Sequence, residues 1–172
     1  MERSMPMEAQ AYERLWTRYL DRLVFYGTAL LRGDRAGAED LVQGVFTRLL
    51  ALGRLPAEET EASYLFQAVR NAAQNEARSR GRSERSRGSL FRQSVRDPQS
   101  DAELAEFGRA VETELQELSS EEREAVLLRV WGELSIRDGA HTLGITEKAF
   151  EHRYTRGLDI LKERLGVHDE HA

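Results

Sequence analysis

The sequence predicts an all-α protein: two small helical domains joined by a flexible linker, the second a helix-turn-helix. Three observations predict it. Apolar residues recur three and four apart through most of the chain, the pattern of helices with one buried side. That periodicity lapses from Gly81 to Asp97, where Arg, Ser and Gly dominate, as in a connector. Near the C-terminal end, a short helix signal and a longer one are separated by Gly144. A chain of 172 residues suffices for two minimal helical domains with modest cores. The expected boundaries are 8–80 for the first domain, 81–99 for the linker and 100–166 for the second.

The first helix is expected from Glu8 to Leu31, with Tyr12, Leu15, Trp16, Tyr19, Leu20, Leu23, Gly27 and Leu30 at helical spacing and Gly33 stopping it. A second follows from Arg35 to Leu52, with Leu41, Val42, Val45, Phe46, Leu49 and Leu50 on one side; Gly53 and Pro56 end it. The third, Glu61 to Ser79, is apolar through Tyr64, Leu65, Ala68, Val69 and Ala72 before the arginine-rich run. Three helices of this size can share one core. Beyond the linker, Ser100 to Glu103 has the form of a capping box, which satisfies free amides at a helix start, and Leu104, Phe107, Val111, Leu115 and Leu118 follow. A second capping box, Ser119 to Glu122, opens a helix through Val126, Leu127, Val130 and Trp131.

Composition excludes several functions. The absence of cysteine removes disulfides, thiolate nucleophiles and the usual structural zinc sites. His141, His152, His168 and His171 form no tight ligand spacing, so neither a metal nor another cofactor is expected. Paired acids such as Glu121 and Glu122 stand without a glycine-rich phosphate loop or a nucleophile elbow, so catalysis is not expected. No stretch approaches the roughly 20 apolar residues a bilayer demands, and Met1 to Gln10 lacks the apolar core of a secretory signal, so the expected location is cytoplasmic.

Net charge is −5, yet its distribution is uneven. From Arg70 to Arg96 eight arginines face only Glu76 and Glu84; from Asp97 to Glu122 nine acids face only Arg109. The first block gives phosphates a local positive field although the whole chain is acidic.

Ser135 to Leu143 reads as a short helix, Gly144 permits the reversal, and a longer helix from Thr146 carries Phe150, Tyr154, Leu158, Leu161 and Leu165 inward. Such a unit places its second helix in the DNA major groove. Its outward residues are then Lys148, Glu151, His152, Arg153, Thr155 and Arg156, whose cations and donors suit phosphates and base edges. Glu147 and Glu151 weigh the other way, because a carboxylate is tolerated there only beside a base donor such as the cytosine amino group. The plainer alternative is a helical hairpin with a solvated charged face.

These residues resemble the extracytoplasmic-function sigma factors of bacterial RNA polymerase. Gly33-Asp34, Ala38 to Gln43 and Val45-Phe46 look like that family's region two, which docks on the polymerase clamp helices. The segment Tyr64 to Asn71 with the following basic run is similar to the part that melts and reads the promoter minus-ten element. Leu118 through Leu165, with Glu122-Arg123-Glu124, Leu134-Ser135, Leu143-Gly144-Ile145 and Arg153, resembles region four, which reads the minus-thirty-five element. The match spans nearly the whole chain, in order.

The resemblance implies core RNA polymerase and promoter DNA as partners, with an anti-sigma protein as a further candidate. It assigns Asp40, Leu41, Gln43 and Phe46 to polymerase, and Tyr64, Arg70, Asn71, Arg78, Arg80 and Arg82 to the minus-ten element. Thr146, Lys148, His152, Arg153 and Arg156 fall to the minus-thirty-five element. Asp40 and Gln43 lie on one helix face, with Phe46 one turn on; Phe46 also reads as core, and Tyr64 reads equally as core or as a base contact. Two departures stand out. Gly139 replaces a common isoleucine, an expected loss of about 1 kcal/mol in helix and packing, and Ala149-Phe150-Glu151 replaces Thr-Val-Lys. A sigma-like regulator that does not initiate, either a repressor or an adaptor, is the alternative function.

Overall fold

The computed structural model describes residues 7–83, 110–111 and 113–166, and every regular element among them is helical. The chain divides into two compact units, Met1–Phe91 and Arg92–Ala172.

In the first unit, α1 spans Met7–Leu30, α2 Arg35–Leu52 and α3 Glu61–Ser83, with a 3-10 turn at Glu58–Thr60 leading into α3. The Asp34 carboxylate caps α2 by accepting from the Gly37 amide at 2.9 Å, which satisfies a donor the first turn leaves free. Leu15, Leu23 and Tyr26 from α1, Val42 and Phe46 from α2, and Leu65, Phe66 and Val69 from α3 form a fully buried core. Its aromatic rings meet edge-on: Phe46 stands 4.9 Å from Trp16 and 5.6 Å from Tyr12, and Tyr26 stands 5.2 Å from Phe66. This geometry sets the positive ring edge against the negative ring face.

Glu61, the first residue of α3, is buried, and Arg14 of α1 donates to both its carboxylate oxygens. That hydrogen bond, with the carboxylate's charge, raises the guanidinium pKa still further. Without Arg14 the carboxylate would be a buried charge with its ion-pair partner removed, which is strongly destabilising.

The first unit corrects two expectations. The α3 helix runs on to Ser83, so residues 81–83 are helical where a connector was expected. Of Gly81, Arg82 and Ser83 only the arginine favours a helix, so the extra turn continues a helix already nucleated, where each added residue costs little. The buried face of α3 comprises Leu65, Phe66, Val69 and Ala73, with Tyr64 outside it and 40% exposed. Turning the helix this way buries a phenyl ring and leaves the phenol in water. The remaining linker positions, the Ser100 capping box, Leu104 and Phe107 lie outside the described residues.

The second unit is helical at 113–117 and then has α4 (Ser120–Val130), α5 (Ile136–Leu143) and α6 (Glu147–Leu165). The expected capping box at Ser119 and Glu122 opens α4. The Arg123 guanidinium donates to the carbonyls of Leu115, Gln116 and Leu118 at 2.6 to 2.9 Å, occupying acceptors that a helix end leaves over. Ser135 caps α5, accepting from the Asp138 amide at 3.1 Å. Gly144 ends it at φ 68°, a left-handed conformation open to glycine. Thr146 caps α6 by accepting from the Ala149 amide at 3.2 Å. Val130, expected inside α4, is 46% exposed, while Ala125, Leu127 and Leu128 are buried.

Gly139 does not leave the expected packing deficit. A Cβ there would stand 2.2 Å from the tip of the Phe150 ring, and Phe150 is fully buried. The two departures from the family pattern therefore compensate: the phenyl ring of α6 occupies the volume that α5 vacates. Gly157 likewise lets α6 settle on α4, since a Cβ there would stand 2.8 Å from Val126.

Candidate protein and nucleic-acid interfaces

On α2, Asp40 and Gln43 are exposed and Leu41 is half-buried. Phe46 is fully enclosed by its aromatic neighbours. It is a core residue, which removes it from the expected contact set. The apolar residue on the outward face is Leu50, 55% exposed; positions 40, 43, 47 and 50 return to one side of a helix at 3.6 residues per turn. The sequence reading grouped Leu50 with the inward side because it adjoins Leu49. The face thus offers a carboxylate, a carboxamide, the Thr47 hydroxyl and an aliphatic end, a set suited to a polar partner helix with one apolar contact.

On α3, Tyr64, Asn71 and Arg78 are all exposed. They are seven residues apart, so each stands nearly above the last, over about 21 Å of helix. Arg78 leans toward Asn75, at 3.5 Å from its side-chain oxygen. Arg70 is half-buried, its guanidinium beside the Gln74 side-chain amide. Arg80 and Arg82 continue the helix, and their side chains lie outside the described residues. A π-face, an amide and a cation in line are the components that hold a separated nucleic-acid strand by stacking, hydrogen bonding and phosphate contact.

The α6 surface is organised differently. Lys148, Glu151, His152, Thr155 and Arg156 are exposed. Thr146 spends its hydroxyl on the helix cap. Arg153 is half-buried and pairs with Glu121 at 3.0 Å, while Arg156 pairs with Glu122 at 2.9 Å. Both acids belong to the first turn of α4, where they also favour the helix dipole. Hydrogen bonds from the Ser119 hydroxyl, and further from its backbone amide and the Arg156 charge, lower the Glu122 pKa. The arginines expected to face outward are therefore held against α4 by carboxylates.

No helix among the described residues is long and apolar enough to cross a membrane. The family described as Sigma-70 region 2 matches residues 11–83, and that described as Sigma-70, region 4 matches residues 108–161. The ECF RNA polymerase sigma factor SigM of Bacillus subtilis (strain 168) is 30% identical over 143 residues, covering 80% of this chain and 86% of the relative. Among solved structures, the fold is similar to that of the sigma factor RpoE in complex with the anti-sigma factor NepR from Bartonella quintana. That match has a TM-score of 0.74 and 24% identity, over 92% of this chain and 98% of the other. CnrH in complex with the cytosolic domain of CnrY matches at a TM-score of 0.63 and 23% identity, over 92% and 90% of the two chains.

Proposed function

Since this chain belongs to the extracytoplasmic-function sigma factors of RNA polymerase, which direct promoter recognition and transcription initiation, we propose that its three exposed faces divide that work. The outward side of α2 docks on core polymerase through Asp40, Gln43 and Leu50. The exposed side of α3 holds the opened minus-ten strand through Tyr64, Asn71 and Arg78, with Arg70, Arg80 and Arg82 extending the cationic track. The α6 helix enters the major groove of the minus-thirty-five element with Lys148, Glu151 and His152 leading. RNA synthesis remains with the polymerase, and the protein acts in the cytoplasm. The two similar solved folds are complexes, one with the anti-sigma factor NepR and one with the cytosolic domain of CnrY; a comparable inhibitor covers one of these faces here.

The observation that carries this reading is the seven-residue recurrence of an exposed aromatic, amide and cation along α3, which no packing requirement of the first unit explains. Run-off transcription with core polymerase, this protein and a library of upstream DNA tests it. Discrete start sites that depend on the protein are expected. Asp40→Ala and Gln43→Ala should each weaken polymerase binding about tenfold, the effect of losing about 1.4 kcal/mol at an interface, while leaving the helical content unchanged. Normal affinity in both variants would remove α2 from the interface.

A further inference from the structure

We propose that Glu151 is a specificity-determining residue, accepting a hydrogen bond from the amino group of a cytosine in the upstream promoter element. This rests on α6 being the helix that enters the major groove. The neighbouring acids all have a role inside the fold: Glu121 and Glu122 hold Arg153 and Arg156, and Glu147 occupies the first turn of α6, where the helix dipole favours negative charge. Glu151 has none of these. It is exposed, lies just past the first turn to which the dipole's effect is confined, and forms no ion pair or hydrogen bond among the described residues. Four residues before it stands Glu147, a like charge on the same side of the helix and a mildly unfavourable neighbour.

A carboxylate with no internal partner, on a surface meant to approach phosphates, opposes binding unless the DNA supplies a donor. The major groove offers two kinds, the N4 amino group of cytosine and the N6 amino group of adenine. Adenine places its N7 acceptor beside the donor, which suits a carboxamide that can both accept and donate; a carboxylate can only accept. Cytosine is therefore the base that Glu151 fits. Lys148, one turn earlier on the same helix, offsets the negative charge toward the backbone.

The test is run-off transcription by the full chain with core polymerase on promoters randomised through the upstream element, comparing the protein with Glu151→Gln and Glu151→Ala. Cytosine should be enriched about tenfold at one upstream position. Glu151→Gln should move that preference to adenine, and Glu151→Ala should flatten it, with the remaining upstream and downstream preferences kept. Because the side chain is exposed, both variants should melt like the parent. An upstream preference indifferent to residue 151 overturns this inference alone. No upstream preference at any position, with the downstream element still selected, overturns the placement of α6 on DNA as well.

Discussion

The two helices proposed to face DNA, α3 and α6, carry similar residue types to different effect. On α3 the outward cation Arg78 leans on a neutral amide, whereas on α6 Arg153 and Arg156 each face a carboxylate of α4. The number of arginines in a segment therefore does not measure the charge it presents. Both α6 pairs are partly solvated, so each is worth about 1 kcal/mol or less and a phosphate can compete for the arginine. The α3 face is set out for a backbone in advance, while the α6 face must exchange partners to gain its full charge. On the proposed assignment, that difference leaves Lys148, Glu151 and His152 to make the first contact with the upstream element.

The second unit also depends on the close packing of Gly139 against the Phe150 ring, and breaking it should have the largest effect. Gly139→Ile drives a Cβ and two further branches into the Phe150 ring and should destabilise this unit by about 3 kcal/mol. Phe150→Val should cost about 2 kcal/mol through the cavity it leaves. The double variant should recover most of the loss, because the isoleucine then fills the vacated volume. The two tryptophans, Trp16 and Trp131, fall one in each unit, so fluorescence of single-tryptophan variants in denaturant reads the units separately. Additive losses in the double variant would show that positions 139 and 150 are not coupled, and a loss at Trp16 would show that the effect is not confined to the second unit.

Much of the fold was legible because its punctuation is local. Asp34 and Gly53 bound α2, and Ser119, Ser135, Gly144 and Thr146 bound the helices of the second unit, each through bonds within a few residues. What escaped sequence reading was set by contacts between helices. Tyr64 and Phe66 are both plausible core residues by spacing, and in the folded unit Phe66 turns inward, its ring against Tyr26 of α1, while Tyr64 stays exposed. Phe46 reads both as core and as a contact by spacing, and Tyr12 and Trp16 closing over it settle the choice for core. Gly139 read as a weakness because Phe150, eleven residues later, gave no sign of compensating for it. Asp40 and Gln43 were recoverable as one helix face from period alone, but the outward turn of Leu50 and Tyr64 was not, and the pairing of Arg153 and Arg156 required knowing that the first turn of α4 lies beside α6.

Charge neutralisation on α6 gives a smaller effect that sharpens the comparison of the two DNA-facing helices. Each cation that meets a phosphate on a single strand contributes about 0.7 to the slope of log affinity against log salt. Arg78→Ala should lower the slope for promoter binding by about that amount. Arg153→Ala and Arg156→Ala should each lower it by less than half as much, since part of their charge is spent on Glu121 and Glu122. Replacing both acids with Gln should raise affinity at low salt and steepen the slope. Equal decrements from Arg78, Arg153 and Arg156 would mean that DNA displaces the carboxylates fully, and the two helices would then present charge alike.

The smallest expected effect distinguishes the units by the direction in which pH destabilises them. Glu122 has its pKa lowered in the folded protein, first by the Ser119 hydroxyl and then by the Ser119 amide and Arg156. Its contribution is present above the ordinary carboxylate range and is lost as pH falls through that range toward the folded value. Glu122→Gln keeps the capping-box geometry but not the charge. The variant should be slightly less stable than the parent at neutral pH and converge with it in acid. In the first unit the shifted groups lie at the other end of the scale: burial raises the phenol pKa of Tyr12 and Tyr19, and Glu61 raises that of Arg14. Stability from these groups is whole below pH 10 and is lost as pH rises through their folded values. Acid should therefore weaken the Trp131 transition before the Trp16 transition, and alkali the reverse. The same order at both extremes would mean that Glu122, Tyr12 and Tyr19 do not govern how the two units respond to pH.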